Sequence, residues 1–430
     1  MGAGPAGLMA AERLARAGLA VTVYDRMPSP ARKLLMAGRG GLNITHATPL
    51  PAFLGHYGEG RALVEPAVRA FPPDALLAWC RDLGIATFEG TSGRYFPVGL
   101  KASPLVRAWL QRLSGLGVRL AVRHRWIGLA DDGSLRFETP DGPSDVRCDA
   151  TVFALGGASW PRLGSDGCWV APLAAAGVGI SPLAPSNAGV TVAWSDVFRQ
   201  RFAGTPVKRI TACVGEHRVP GELVVTATGL EGGAIYALGG VLRARGLAAG
   251  APVGLTLDLR PDIAEEALAT ALAKPFAGQS LSNVLRKRAG LSPVAIGLMR
   301  EAGGRELPRE AARLAALVKH CPVRPTGFAG LARAISTAGG ISAGSVDTQF
   351  MLKVRPGIFV AGEMLDWDAP TGGFLLQAAF ATGHAAAEGA IAWLSAGNHA
   401  RAHEKLAARR DEAATIGTSA AVSGASGTDA

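Results

Sequence analysis

The chain is short of charge, of aromatic residues and of cysteine, and each shortage narrows what it can be. Charged residues fill 18% of its 430 positions and aromatic residues 6%, beside an apolar fraction of 48%. That balance belongs to a packed globular protein rather than a disordered one. The five cysteines are Cys80, Cys148, Cys168, Cys213 and Cys321, and no two form a C-x-x-C pair. Their number and spacing argue against a zinc ribbon, a dithiol redox centre and a disulfide framework, and they fit a reducing, cytoplasmic setting. Long apolar runs are missing too. The longest uncharged stretch, between Asp166 and Asp196, is broken by Pro172, Pro182 and Pro185, so no membrane span is expected. Acidic residues are the scarcer sign, which leaves a net charge of +10. The basic residues are mostly Arg and are scattered, so nucleic acid is not the expected partner; a site for an anionic cofactor uses the same charge.

Glycine is what the chain has in quantity, 57 residues. Gly2, Gly4 and Gly7 form a G-x-G-x-x-G loop at the very start. Leu8 to Ala17 reads as a helix, Gly18 as its stop, and Leu19 to Tyr24 as a strand closed by Asp25. This is the order of a dinucleotide-binding β-α-β unit. Gly2 permits the tight turn, Gly4 lets a pyrophosphate approach the backbone, and Gly7 lets helix and strand pack closely. The helix N-terminus offers free N–H groups to the pyrophosphate, and Asp25 is spaced to hold ribose hydroxyls. A first strand is expected ahead of Gly2, where Met1 alone stands. The expectation is that Met1 ends that strand, with an in-frame stretch of Val, Ile and Ala codons upstream; no signal peptide is read.

Further glycine regions recur. Ala37 to His46 is a second loop, with Gly38, Arg39, Gly40, Gly41, Asn43 and Thr45 suited to wrap a polar ligand. Ala62 to Gly84 reads as one helix, and Leu105 to Leu113 as another opened by Ser103 and Pro104. Leu135 to Thr139 and Val146 to Cys148 read as strands about a turn at Asp141-Gly142. Ala150 to Ala158 is a buried parallel strand that opens onto Gly156 and Gly157, the kind of strand end where ligands gather. Past Gly362 and Glu363 comes a loop with Asp366, and then Gly372 and Gly373 open a helix at Phe374. A helix N-terminus there favours an electron-rich ligand atom.

Between these regions the texture changes. The expected fold is α/β: a Rossmann-like FAD-binding domain in two sequence segments, interrupted by a β-rich insert and a helical subdomain. The first segment is assigned to residues 1–183, the insert to 184–260, the helical part to 261–330, the second segment to 331–395, and a disordered tail to 396–430.

The ordered set of motifs resembles the BaiN/RdsA-type family of bacterial NAD(P)/FAD-dependent oxidoreductases, which are three-domain flavoproteins. It is carried by GAGPAGLMAA (2–11), RKLLMAGRGGLNITH (32–46), GRYFP (93–97), KAS (101–103), ALGGAS (154–159), GELVVTATGLEGGAI (221–235), TAGGIS (337–342) and GEMLDWDAPTGGFLLQAAF (362–380). Most of that family has Cys where this chain has Leu42, and Asn and Trp where it has Leu375 and Ala378, which marks a divergent branch. The resemblance implies non-covalent FAD. Its pyrophosphate would lie on Gly2, Gly4 and Gly7, and its ribose on Asp25. Lys33, Arg39, Gly40, Gly41, Asn43 and Thr45 would lie along the ribityl and flavin side. Gly362, Glu363, Asp366, Gly372, Gly373 and Phe374 would meet the flavin from the other half. His46 is read as structural rather than as a covalent flavin link.

The expected activity is that of an FAD-dependent oxidoreductase acting on a small organic substrate, with NAD(P)H as candidate donor. No second full G-x-G-x-x-G unit is present for NAD(P)H. Two alternatives stand beside it: an oxygen-dependent oxidase of a small amine releasing hydrogen peroxide, and a non-enzymatic flavin-binding or RNA-associated protein. No Ser/His/Asp set, metal cluster or carboxylate pair stands out, so no catalytic residue is assigned. Arg94, Tyr95, Phe96 and Tyr236 are candidates for a substrate wall.

Overall fold

The computed structural model describes residues 1–37, 40–130, 132–274, 278–304 and 306–397. They fall into two units. One is built from Met1–Leu183 and from Ala338 onward, the other from Ala184–Thr337.

The first unit opens with the expected β-α-β order. Helix α1 (Pro5–Arg16) starts on Pro5, whose absent N–H is no loss at a helix start. Strand β1 (Thr22–Asp25) starts later than Leu19, because the Leu19 N–H donates to Leu14 O and closes the helix. Helix α2 (Arg32–Ala37) leads to Gly38 and Arg39, which lie outside the described residues. Strand β2 (Thr45–His46) and helix α3 (Leu50–Gly55) follow. The single helix expected over 62–84 is two, α4 (Arg61–Ala70) and α5 (Pro73–Asp82). Pro72 and Pro73 supply no N–H, and Phe71 is pushed to φ −131°, ψ 74° ahead of them. Strands β3 (Thr87–Glu89) and β4 (Arg94–Pro97) join β2 in a three-stranded antiparallel sheet with β4 central.

Helix α6 (Ala102–Gly115) precedes β5 (Arg119–Val122), which pairs with β1 in parallel. An antiparallel meander comes next: β6 (Arg125–Leu129), β7 (Leu135–Thr139) and β8 (Gly142–Val146). The last of these begins before the expected Val146, since the turn is tight enough to pair Thr139 with Gly142. Strand β9 (Thr151–Phe153) is fully buried, as its apolar run implies. Met1 and Gly2 lie between β9 and β1. The Met1 amine donates to Val152 O (2.7 Å), Ala154 N–H to Met1 O (2.8 Å) and Gly2 N–H to Tyr24 O (2.8 Å). Burial of the Met1 ammonium lowers its pKa to about 6. Helix α7 (Val170–Ala175) and strand β10 (Ile180–Ser186) lead out.

The second unit has β11 (Val190–Val192), α8 (Asp196–Phe202), β12 (Pro206–Val214), β13 (His217–Thr226), β14 (Gly229–Glu231), α9 (Gly233–Ala237), α10 (Gly239–Ala244) and β15 (Leu255–Asp258). Four helices follow, α11 (Glu265–Ala273), α12 (Leu281–Arg288), α13 (Pro293–Gly303) and α14 (Ala311–Lys319), and then β16 (Cys321–Val323) and β17 (Pro325–Phe328). The sheet order is β16-β15-β12-β13-β14-β11-β17. Because β16 and β17 return to its two edges after the helices, the helical stretch 261–330 and the strand-rich stretch 184–260 share one core. Leu223, Val225 and Leu257 from strands meet Leu285, Met299 and Val318 from helices there.

Strand β18 (Ser336–Ile341) leads back and pairs with β10. Strand β19 (Ile358–Val360) pairs with β9 in parallel. Helix α15 (Phe374–Ser395) crosses α1 at Gly383, where an added Cβ would stand 2.3 Å from Ala6 O. Residues 398–430, which hold most of the expected disordered tail, lie outside the described set.

Candidate functional site

The glycine loop is shaped by three different demands. Gly2 takes φ +88°, and a Cβ there would meet Ala154 O at 2.3 Å. A Cβ on Gly7 would meet Gly2 O at 1.9 Å. Both glycines are therefore required by the protein's own packing. Gly4 differs, because a Cβ on it would meet nothing within 4 Å. It is the N-cap of α1, and no side chain caps that helix. An open backbone face at an uncapped helix start is where an anion can approach closely.

Asp25, at the end of β1, is anchored by the loop itself. Oδ2 accepts from Ala3 N–H (2.7 Å) and Oδ1 from Met27 N–H (2.7 Å). Each oxygen keeps a further lone pair for a hydroxyl.

Lys33 joins three regions that are far apart in sequence. Its Nζ donates to Ser159 Oγ (2.6 Å) and to Glu363 Oε2 (2.5 Å). Gly157 N–H also faces Glu363 Oε2 at 3.4 Å. Helix α2, the β9 end and the turn after β19 thus converge. Gly156 takes φ +75° in a turn where Trp169 Nε1 donates to Gly156 O at 2.8 Å. Gly41 takes φ +112° against Phe96, and Gly40 is exposed. Asn43 Oδ1 is buried and accepts no hydrogen bond from the described protein. In a protein interior an orphan acceptor of that kind calls for an explanation, and a bound donor supplies one.

The α15 start lies against the second loop. Gly372 (φ +120°) and Gly373 (φ +108°) form the turn, and a Cβ on Gly373 would stand 2.5 Å from the Thr45 carbonyl carbon. No side chain caps α15 either. Thr45 Oγ1 donates to Gln377 Oε1 (2.8 Å), and Gln377 Nε2 donates to Phe71 O (2.7 Å). The Phe374 ring is turned inward among Phe53, His46 and His56 at centroid distances of 4.7, 5.2 and 4.1 Å. Its backbone N–H is the part left at the helix start. Gly362 (φ +79°) abuts Ala6, with a Cβ position 2.9 Å from the Ala6 methyl. Asp366 is not a free loop carboxylate, since it accepts from Ser181 Oγ at 2.5 Å.

Residues 1–389 match the family described as HI0933-like protein Rossmann domain. The chain belongs to that family. With the family comes the class of chemistry, and this HI0933-like protein is an FAD-dependent oxidoreductase. A ribosomal RNA dihydrouridine synthase of Haemophilus influenzae is 24% identical over 90% of this chain and 96% of its own length. The Escherichia coli protein of the same description is 24% identical, over 91% and 97%. A 3-dehydro-bile acid delta(4,6)-reductase of Clostridium scindens is also 24% identical, over 91% and 98%.

The residues present fit the dinucleotide: two uncapped helix starts, one open glycine and one orphan acceptor. The three positions at which the resemblance implies a departure are apolar and inward. Leu42 and Ala378 are buried, and Leu375 packs at the core edge. Sequence reasoning missed a buried carboxylate on α1. Glu12 Oε2 accepts from Trp79 Nε1 (3.0 Å) and Trp109 Nε1 (2.8 Å), while Oε1 meets Arg16 (3.0 Å) and Arg112 (3.2 Å). The available signal was an acidic residue on the otherwise apolar face of α1. Among the described residues no His/Cys/Asp/Glu group is placed to hold a metal, and no helix is long and apolar enough to cross a membrane.

Proposed function

We propose that this protein holds FAD without a covalent link and reduces a carbon–carbon double bond conjugated to a carbonyl, with NAD(P)H as the electron donor. The observation that carries this reading is shared by the relatives. One kind is named for making dihydrouridine and the other for reducing delta(4,6) bonds of 3-dehydro-bile acids. Both names describe saturating a double bond in conjugation with a carbonyl, on otherwise unlike molecules.

Gly2, Gly4 and Gly7 would hold the pyrophosphate at the α1 start, and Asp25 the ribose. Lys33, Gly40, Gly41, Asn43, Thr45, Gly156 and Gly157 would line the ribityl and flavin side. Gly362, Glu363, Gly372, Gly373 and the Phe374 N–H would close it from the second segment. Bound flavin supplies a centre for two-electron hydride transfer. The protein's share is to orient, to exclude water and to set charge. The α15 N-terminus presents a positive dipole end, which favours an electron-rich ring edge. Lys33 is held by Glu363 and Ser159, so its ammonium is fixed in place rather than free to roam.

A second reading places the conjugated bond in a uracil of RNA. The charge distribution favours it: residues 184–337 hold 19 Lys and Arg against 11 Asp and Glu, so +8 of the chain's +10 lies in one unit. The basic excess therefore lies mainly in one unit.

Anaerobic mixing with NADH or NADPH, followed by flavin absorbance, tests the donor. Bleaching and then recovery of colour on adding 2-cyclohexen-1-one supports the first reading, and recovery only with uridine-containing RNA supports the second. Flavin that neither nucleotide bleaches, and that an amine reduces with peroxide release in air, sinks both.

A further inference from the structure

Arg94 and His46 are directly opposed across β2 and β4, so their side chains leave one face of that sheet. The face is the one the α15 turn covers. Arg94 Nε lies 3.4 Å from where a Cβ on Gly372 would be, and the His46 ring stacks on Phe374 at 5.2 Å. Arg94 is half-buried, and its guanidinium forms no hydrogen bond or ion pair with any described residue. His46 Nδ1 accepts from Thr48 N–H at 3.1 Å and sits 2.7 Å from Thr48 Oγ1, so the neutral ring carries its proton on Nε2. Nε2 has no partner among the described residues. His56 also meets Phe374, at 4.1 Å, and its pKa is lowered by burial and then by the charge of His46. Glu89 is spent on the opposite sheet face, where it accepts from Tyr95 Oη at 3.2 Å.

A guanidinium, an imidazole N–H and a helix N-terminus thus meet at half-buried positions, with the exposed His56 ring nearby on Phe374, and none of the ion pairs among the described residues involves Arg94, His46 or His56. Donors so gathered suit an electron-rich group. We propose that Arg94 and the His46 Nε2–H form the subsite for the substrate's carbonyl oxygen, the atom that gains negative charge during reduction. The proposal rests on the conjugated-bond reading above and deepens it. In the step it would serve, hydride supplied by bound reduced flavin would join the β-carbon as the π bond breaks. The electron pair moves onto the carbonyl oxygen, and the enolate then takes a proton from water at its α-carbon. Arg94 and His46 donate to that oxygen throughout. Preorganised donors aimed at developing charge lower a barrier more than they tighten ground-state binding.

The test uses the FAD-loaded protein and 4-chlorophenol, whose phenolate imitates an enolate and gives a long-wavelength charge-transfer band against oxidised flavin. The wild type is expected to develop that band at a pH below the phenol's own pKa. Arg94→Gln and His46→Asn are each expected to weaken phenolate binding by about tenfold or more, with Arg94→Lys between, since a hydrogen bond to a charged group is at stake. FAD content should be unchanged in all three. Phenolate binding that is indifferent to both substitutions overturns the proposal. So does a wild type that binds FAD and no phenolate, and so does loss of FAD in Arg94→Lys, which would assign Arg94 to the cofactor. A wild type that binds phenolate through these residues and reduces no conjugated ketone leaves the subsite standing and removes the reading beneath it.

Discussion

Gly4 and Gly7 are interchangeable letters in a motif, yet the fold uses them in opposite ways. Gly7 has no room for a methyl group, because Gly2 O would stand 1.9 Å away, whereas Gly4 faces open space at φ −87°. Gly7→Ala should therefore lower stability and FAD content together. Gly4→Ala should fold with an unchanged melting temperature and bind FAD more weakly, since only the incoming pyrophosphate meets the new methyl. Thermal melts of the apoprotein beside flavin titration separate the two outcomes; equal stability losses would show that the fold, not the ligand, requires Gly4. Glu12 makes a different demand. Removing it leaves two buried indole N–H groups and the partly buried Arg112 without their acceptor. Glu12→Ala should cost about 3–5 kcal/mol in urea unfolding, and Glu12→Gln, which keeps an acceptor oxygen, should cost less.

Helix α15 is the element on which the first unit closes, and glycine decides how closely. Gly383 lies against the Ala6 backbone, so Gly383→Ala must push α1 and α15 apart and carry the glycine loop with them. A loss of about 1–3 kcal/mol is expected, with weaker FAD retention as a consequence. The same helix carries His384, stacked on Phe71 at 5.0 Å, with a pKa lowered by burial and then by the charge of Arg13. The unfolded chain then takes up a proton near pH 6.5 while the folded one resists it. Stability is complete above that pH and is lost as pH falls below it. Melts at about pH 7.5 and about pH 5.5 should show a smaller acid penalty in His384→Gln than in the wild type. These elements also mark how far a sequence can be read. The β-α-β opening was legible because its demands fall within twenty-five consecutive residues. The break at Phe71 is written in Pro72 and Pro73, although the apolar spacing continues across it. Apart from Arg16, one helical turn on, the partners of Glu12 lie 67 to 100 residues away, and Asp366 finds Ser181 at a separation of 185. No local pattern encodes such pairings.

At the scale of the whole molecule the consequence is an asymmetry between the two units. Every residue proposed for the cradle, from Gly2 to Phe374, belongs to the unit made of two sequence segments, and none comes from Ala184–Thr337. The second unit has its own core, in which strands and helices from both sides of residue 260 are mixed. It follows that a helical subdomain could not be cut from its sheet without exposing Leu257 and Val318 together. On the proposed assignment, flavin acts on one unit's stability. Ligand that binds only the folded state stabilises by about 2.7 kcal/mol at a hundredfold excess over its dissociation constant. Calorimetry of the full chain should therefore show FAD moving the transition of the two-segment unit upward while the other stays in place. Glycine substitutions in the cradle should abolish the shift, and substitutions in the second core, such as Leu257→Ala, should lower the other transition and leave the flavin-dependent shift intact. A single transition that moves as one body with FAD would instead mean that the two cores unfold together.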